Sequence, residues 1–334
     1  MGSIIKNIEY VYPKLKISND DLAKQFPDYD FANFQEKVGI TNRYWVGEGE
    51  TALSLAIEAC EKIFEKVDCQ EIDYILYCTQ SPEYFLPTTA CILQDRLGLR
   101  KDVGALDFNL GCSGFAYGVS LAKGLINSGQ AKNVLLVTAE TYSKYLHPKD
   151  RSNRAIFGDA ATATVISFSD KEYIGDFLFG TDGSGSDKLI VKNGASKSPY
   201  DALSKEIVYG TNNVFTDNHL YMNGPEVFNF TNKVIPNFTQ EVLIKNNLEI
   251  KEVQQFVFHQ ANAFMLDFMR KRLKVTKDRF FIDLADGGNT VSCTIPIALK
   301  KYSQQISDTE NIIIVGFGVG LSWSGGVIKI DCKL

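Results

Sequence analysis

Glu71-Ile72-Asp73-Tyr74-Ile75-Leu76-Tyr77-Cys78 lines up with Glu252-Val253-Gln254-Gln255-Phe256-Val257-Phe258-His259, at an offset of 181 residues. Further along, Asn133-Val134-Leu135-Leu136-Val137 lines up with Asn311-Ile312-Ile313-Ile314-Val315, at an offset of 178. Any two buried strands look alike, because both are rich in Val, Ile and Leu. It is the preserved order and near-constant offset that predict two similar halves. The halves are placed at 1–170 and 171–334. The second offset carries Cys112 onto Thr290, next to Asn289, so a thiol and an amide should occupy equivalent helix-start positions.

Within each half, short apolar runs alternate with helical patterns. Strands are predicted at 73–79, 103–108 and 134–139, with helices at 88–97 and 113–128. In the second of these helices Phe115, Val119, Ala122 and Ile126 share one face, and Gly129 follows as a stop. The second half repeats the pattern with strands at 256–259 and 312–316 and helices at 261–273 and 290–301. Such alternation predicts an α/β fold with parallel-rich sheets covered by helices. The stretch 170–223 is rich in Gly, Ser, Asn and Asp and reads as loops and hairpins, a junction between halves plus a substrate-facing excursion.

The 334 residues are enough for a large core, and 45% hydrophobic with 22% charged residues is ordinary for a soluble enzyme. A net charge of -5 argues against nucleic acid as the main partner, though an acidic carrier protein would need only a local basic patch. Seven scattered cysteines suit reduced intracellular thiols and a cytoplasmic protein. The apolar stretch near Met1 is too short for a signal peptide, and no run approaches the length of a membrane span.

Three small-residue motifs carry candidate chemistry: Gly111-Cys112-Ser113-Gly114, Phe258-His259-Gln260-Ala261-Asn262 and Gly287-Gly288-Asn289-Thr290. Backbone N–H groups and a helix dipole at Cys112 would lower its pKa and make it a nucleophile; a buried structural thiol is the plainer account. His259 could equally be a hydrogen-bonded structural residue, and Asn289 a turn residue or N-cap. His147 and His219 lie in polar loops without comparable framing. No Cys or His spacing suits a metal, and no Gly-x-Gly-x-x-Gly follows the first strand. Gly316-Phe317-Gly318-Val319-Gly320 could bind phosphate or supply a backbone N–H to an oxyanion hole. Together, a thiol, an imidazole and an amide suit acyl-thioester chemistry.

These motifs resemble those of the β-ketoacyl-acyl-carrier-protein synthase III family of the thiolase superfamily, almost end to end. The likeness runs through Val38-Gly39-Ile40-Thr41-Asn42-Arg43, Pro87-Thr88-Thr89-Ala90-Cys91-Ile92-Leu93-Gln94 and Asn109-Leu110-Gly111-Cys112-Ser113-Gly114-Phe115. It continues through Asp150-Arg151, Ile156-Phe157-Gly158-Asp159-Ala160-Ala161, Met222-Asn223-Gly224-Pro225-Glu226-Val227-Phe228, His259-Gln260-Ala261-Asn262 and Gly288-Asn289-Thr290.

The resemblance implies a thiolase-like, five-layered αβαβα sandwich of two similar halves, usually a homodimer. It implies decarboxylative Claisen condensation: an acyl-CoA primer loads Cys112, and a malonyl thioester on acyl carrier protein meets His259 and Asn289. The backbone N–H groups of Cys112 and Val319 would form the oxyanion hole. Lys37, Arg151, Asn262, Lys271 and Arg272 would serve CoA or carrier binding, Leu86 and Phe157 the acyl pocket, and no metal or other cofactor is implied. Val319 stands where the family usually has glycine, Asn33 where a tryptophan stacks on adenine, Lys37 for an arginine, and Phe264 for an arginine that guides the carrier. These departures point to a specialised paralogue. Leu86, often a larger residue reaching into the partner's acyl tunnel, suggests room for a longer or branched chain, or is an ordinary core leucine. A competing function is acyl transfer from Cys112 to an amine or hydroxyl; a third is a non-catalytic partner subunit.

Overall fold

A computed structural model of the chain describes residues 2–331 and 333–334. Its frame is two five-stranded mixed sheets. The first holds β1 (Gly2–Val11), β2 (Tyr74–Cys78), β3 (Gly104–Phe108), β4 (Asn133–Glu140) and β5 (Ala160–Ser169), in the order β1-β5-β4-β2-β3. The second holds β6 (Ile174–Thr181), β7 (Gln255–Phe258), β8 (Phe280–Phe281), β9 (Glu310–Gly318) and β10 (Ser322–Ile330), in the order β6-β10-β9-β7-β8. The aligned runs of sequence fall on β2 and β7, and on β4 and β9, which stand at equivalent places in the two sheets.

Side-chain alternation along these strands sets the layers. In β4, Val134 and Leu136 face one apolar cluster while Leu135 and Val137 face another. In β9, Ile312 and Ile314 point into the same inner cluster as Val134, and Ile313 and Val315 point to the opposite side. Helices α3 (Gly114–Asn127) and α6 (Thr294–Ser303) fill the space between the sheets, through Phe115, Val119, Ile126, Ile295 and Leu299. Helices α1 (Ala52–Phe64) and α2 (Thr89–Arg96) cover the first sheet outside. Helices α4 (Gly224–Lys245) and α5 (Ala263–Leu273) cover the second. The result is an αβαβα sandwich with helices on every sheet face, as two-sided apolar strands require.

Two expectations are corrected. Each sheet is mixed, not parallel-rich: β2 pairs in parallel with β3 and β4, while β5 is antiparallel to β1 and β4. The stretch 170–223 also contains β6, an eight-residue edge strand paired with β10. Its polar positions sit on an edge with one side exposed, which masks the strand period. The rest of that stretch does form short hairpins, Ile207–Tyr209 with Asn213–Phe215 and Leu189–Ile190 with Tyr221–Met222. The described cysteines are all free, and Cys332 lies outside the described residues. Among the described residues no helix is long and apolar enough to cross a membrane.

Candidate active site

Both sheets deliver their chemistry at the ends of strands, where backbone leaves the ladder and side chains can face a cavity. Cys112 follows β3 by a tight turn, in which the Gly114 N–H donates to the Gly111 carbonyl at 2.8 Å, and the chain then enters α3. The Ser113 hydroxyl does not cap that helix; it lies 2.9 Å from the Ser322 hydroxyl of the other half. The end of β9 presses against Cys112. A Cβ on Gly318 would come within 2.9 Å of Cys112 Cβ and Sγ, so only glycine fits there without displacement.

His259 directly follows β7 and is held by its own N–H to the Val315 carbonyl at 2.9 Å. Its ring stands edge-on to Phe317, and its Nδ1 lies 2.8 Å from the Thr294 hydroxyl. That hydroxyl also faces the Val291 carbonyl at 3.1 Å and accepts the Gln260 N–H at 3.3 Å. Burial holds the imidazole neutral, drawing its pKa down to about 3 against the opposing pull of the Val291 backbone.

Asn289 is seated by backbone. Its N–H donates to the Ile156 carbonyl at 2.9 Å, and its carbonyl accepts the Gly158 N–H at 3.0 Å. Gly288 before it has φ +66, the left-handed region that glycine adopts without strain. The Val291 N–H donates to Asn289 Oδ1 at 2.9 Å. With its oxygen so occupied, the side chain presents Nδ2, a donor, to the cavity.

The expected lowering of the Cys112 pKa does not occur in this resting site. Burial first, then the Glu140 carboxylate, push the thiol up to about 12, against the backbone N–H groups of Cys112 and Val319 that face the sulfur. Among the described residues no cation is paired with the sulfur to offset desolvation, so the neutral thiol is favoured.

Cys112, His259 and Asn289 line one cavity of about 450 Å³ with Tyr142, Ile156, Phe157, Leu189, Met222 and Phe317. Pro225, Phe228, Asn262 and Phe264 line it too. Phe264 is 58% exposed and stacks on Phe228 with ring centroids 5.4 Å apart, which makes that side of the cavity its opening. A mostly apolar lining with three convergent polar groups suits an acyl chain with a reactive end.

Of the residues singled out from sequence, the cavity gathers Cys112, His259, Asn289, Asn262 and Phe157, with the Val319 N–H at the sulfur. Asn262 is also the N-cap of α5, accepting the Met265 N–H at 2.8 Å. Lys37, Arg151, Lys271 and Arg272 do not line it. Arg151 lies 4.0 Å over the Tyr29 ring and donates to the Thr211 carbonyl, and Lys271 pairs with Asp267 at 2.7 Å. Leu86 is neither in this chain's cavity nor in its core; it is 83% exposed, beside exposed Tyr84 and Phe85. Sequence reading missed Thr294, Tyr142 and Glu140. A threonine five residues beyond Asn289 was the only available signal for the first. Among the described residues no group of His, Cys, Asp and Glu is placed to hold a metal.

Comparison with known proteins agrees along the whole chain. The family described as 3-oxoacyl-[acyl-carrier-protein] synthase III matches residues 106–183, and its C-terminal counterpart matches residues 243–330. A beta-ketoacyl-[acyl-carrier-protein] synthase III of Clostridium perfringens is 36% identical, over 95% of this chain and 96% of that protein. A crystal structure of a 3-oxoacyl-(acyl-carrier-protein) synthase III superposes with a TM-score of 0.96 at 43% identity, covering 99% of this chain and 100% of that one. The priming beta-ketosynthase from the R1128 polyketide biosynthetic pathway superposes at 0.89 with 26% identity, covering 100% and 97%.

Proposed function

The chain belongs to the 3-oxoacyl-[acyl-carrier-protein] synthase III family, and from that premise we propose how its site carries out the condensation. The enzyme transfers acyl groups and makes the first carbon–carbon bond of a fatty-acid chain. Cys112 attacks the thioester carbonyl of an acyl-CoA. The bond to the CoA sulfur breaks, the acyl group stays on Cys112, and the thiol proton departs with CoA. The N–H groups of Cys112 and Val319 take the oxyanion of the tetrahedral intermediate, a type of contact worth about 2.7–4 kcal/mol.

A malonyl thioester on acyl carrier protein then enters through the Phe228–Phe264 opening. Its carbonyl accepts hydrogens from Nε2 of His259 and Nδ2 of Asn289. Carbon dioxide leaves, the enolate attacks the acyl-Cys112 carbonyl, and a carbon–carbon bond replaces the carbon–sulfur bond. The freed Cys112 thiolate takes a proton from solvent. The product is a β-ketoacyl thioester, and no cofactor or metal enters the scheme.

One observation carries this reading: the third member of the set is an amide, which cannot act as a base, with its oxygen turned to the Val291 N–H and its NH2 left to donate. Transfer to an amine or hydroxyl needs a base to remove the acceptor's proton. A histidine drawn down to about 3 and an amide form a carbonyl clamp instead.

Lys37, Arg151, Lys271 and Arg272 are proposed to receive the phosphates of CoA and the acidic carrier from outside the cavity. Tyr84, Phe85, Leu86 and the half-exposed Leu106 on edge strand β3 support a homodimer formed along that edge. Intact-mass measurement with acyl-CoA followed by malonyl-carrier protein tests the reading. An adduct on Cys112 that disappears with CO2 release supports it, and an adduct that persists with malonyl thioester present refutes it.

A further inference from the structure

The turn between Asn289 and Thr294 orients both carbonyl donors, because Val291 N–H holds Asn289 and the Thr294 hydroxyl meets His259. In its middle, the Ser292 hydroxyl reaches across to Glu140 Oε1 at 2.7 Å, a residue 152 positions earlier at the end of β4. Glu140 is fully buried, and its other oxygen accepts the Gln80 N–H at 3.0 Å and the Ser81 hydroxyl at 3.4 Å. Gln80 in turn lies beneath the nucleophile's turn: a Cβ on Gly111 would come 2.6 Å from Gln80 Oε1. Glu140 therefore joins the segment under Cys112 to the segment that orients the donors. Nothing in the acyl transfer or the decarboxylation uses it.

We propose that Glu140, acting through Ser292, is a positioning residue that fixes the Asn289–Thr294 turn against the half that carries Cys112. The inference rests on the roles given above to His259 and Asn289. Acylation needs Cys112 and the oxyanion N–H groups, whereas condensation needs in addition the spacing between the acyl-sulfur and the two donors, so loss of this tie should cost condensation more than acylation. Displacement of a reacting group by about 1 Å can cost roughly 100-fold in rate. An unpaired buried carboxylate is costly to keep unless its hydrogen bonds are made, and burial pushes Glu140 up to about 8, so that it is held largely as the neutral acid at neutral pH. A neutral amide of the same shape should then serve as well.

The test measures the two half-reactions in Ser292→Ala, Glu140→Leu and Glu140→Gln. Ser292→Ala removes one hydroxyl and keeps the proposal testable where Glu140→Leu does not fold. In Ser292→Ala, acylation of Cys112 should stay within about threefold of the parent while condensation of the acyl-enzyme falls about 10- to 100-fold. Glu140→Leu, which also removes a group that raises the Cys112 thiol, should lose condensation more than acylation, and Glu140→Gln should condense within about threefold of the parent. Side-chain amide and imidazole ¹⁵N shifts of Asn289 and His259 report the position of the turn without turnover. They should move in Ser292→Ala and stay near the parent values in Glu140→Gln. Unmoved shifts in Ser292→Ala, equal loss of both half-reactions, or Glu140→Gln as impaired as Glu140→Leu would each overturn the proposal. Shifts that move in Ser292→Ala while the parent enzyme itself does not condense would leave the positioning role standing and refute the assigned reaction.

Discussion

Nδ1 of His259 lies 2.8 Å from the Thr294 hydroxyl, and that hydroxyl has a second acceptor in the Val291 carbonyl at 3.1 Å. A neutral imidazole carries one ring proton, so Nε2 can donate to a substrate carbonyl only when Nδ1 is the acceptor. For Nε2 to donate, the single Thr294 proton must turn toward His259 and away from Val291. Thr294→Val keeps the shape and removes that proton. Condensation should fall about tenfold, in line with a lost buried hydrogen bond of about 1–2 kcal/mol, with Cys112 acylation little changed. Thr294→Ser should restore it. Single-turnover assays of both steps decide the matter, and a Thr294→Val enzyme that condenses normally would contradict the tautomer assignment.

Replacing Asn289 by Asp should be worse than replacing it by Ala. The Val291 N–H would hold one carboxylate oxygen, and the other would face the site where enolate charge develops. A loss of roughly 10²–10³-fold in condensation is expected for a donor turned into an anion, with acylation less affected. His259→Ala should likewise spare acylation more than condensation, and Cys112→Ala should abolish acylation. Intact mass of the acyl-enzyme and the rate of CO2 release separate these cases.

Glu140 gives stability a pH dependence of definite sign. Its ordinary value is 4.5 and burial raises it to about 8, so the folded chain binds this proton more tightly than the unfolded chain. The contribution is therefore fully present below about 4.5 and is lost progressively as pH rises toward 8. Glu140→Gln should flatten this part of the stability curve and raise the melting temperature at pH 8 more than at pH 5. Thermal unfolding at the two pH values would show it, and an equal change at both would count against an acid held neutral by burial.

An edge strand with an exposed leucine is the simplest place to test assembly. Leu106→Lys on β3 should reduce the dimer fraction in sedimentation without unfolding the subunit, since Leu106 is 43% exposed in the single chain. A variant that sediments as the parent does would move the interface elsewhere.

The central strands and the three residues that meet in the cavity were legible because each depends on local pattern: runs such as Asn311-Ile312-Ile313-Ile314-Val315 and small residues around Cys112, His259 and Asn289. β6 was not legible, because Gly175, Asp176 and Gly180 interrupt an edge whose partner β10 lies far along the chain. Thr294 and Glu140 were hidden for a related reason. Their partners, His259 and Ser292, are 35 and 152 residues away, and nothing local marks a threonine or a glutamate as half of such a pair. The direction of the Cys112 shift failed on the same ground: a helix start is visible in sequence, but the depth of burial is a property of the packed whole.

The equivalence of the Cys112 and Asn289 turns has a consequence for how this enzyme can be divided. One half supplies Cys112, and the other supplies His259, Asn289 and the Val319 N–H that faces the sulfur. Neither half separately holds a working subset of the reaction, so complementation between two severed fragments should restore turnover only if the helical layer of Phe115, Val119, Ile295 and Leu299 re-forms between them. Substitutions in that layer, remote from any substrate, are where a loss of fit between the units would first be felt as slower chemistry.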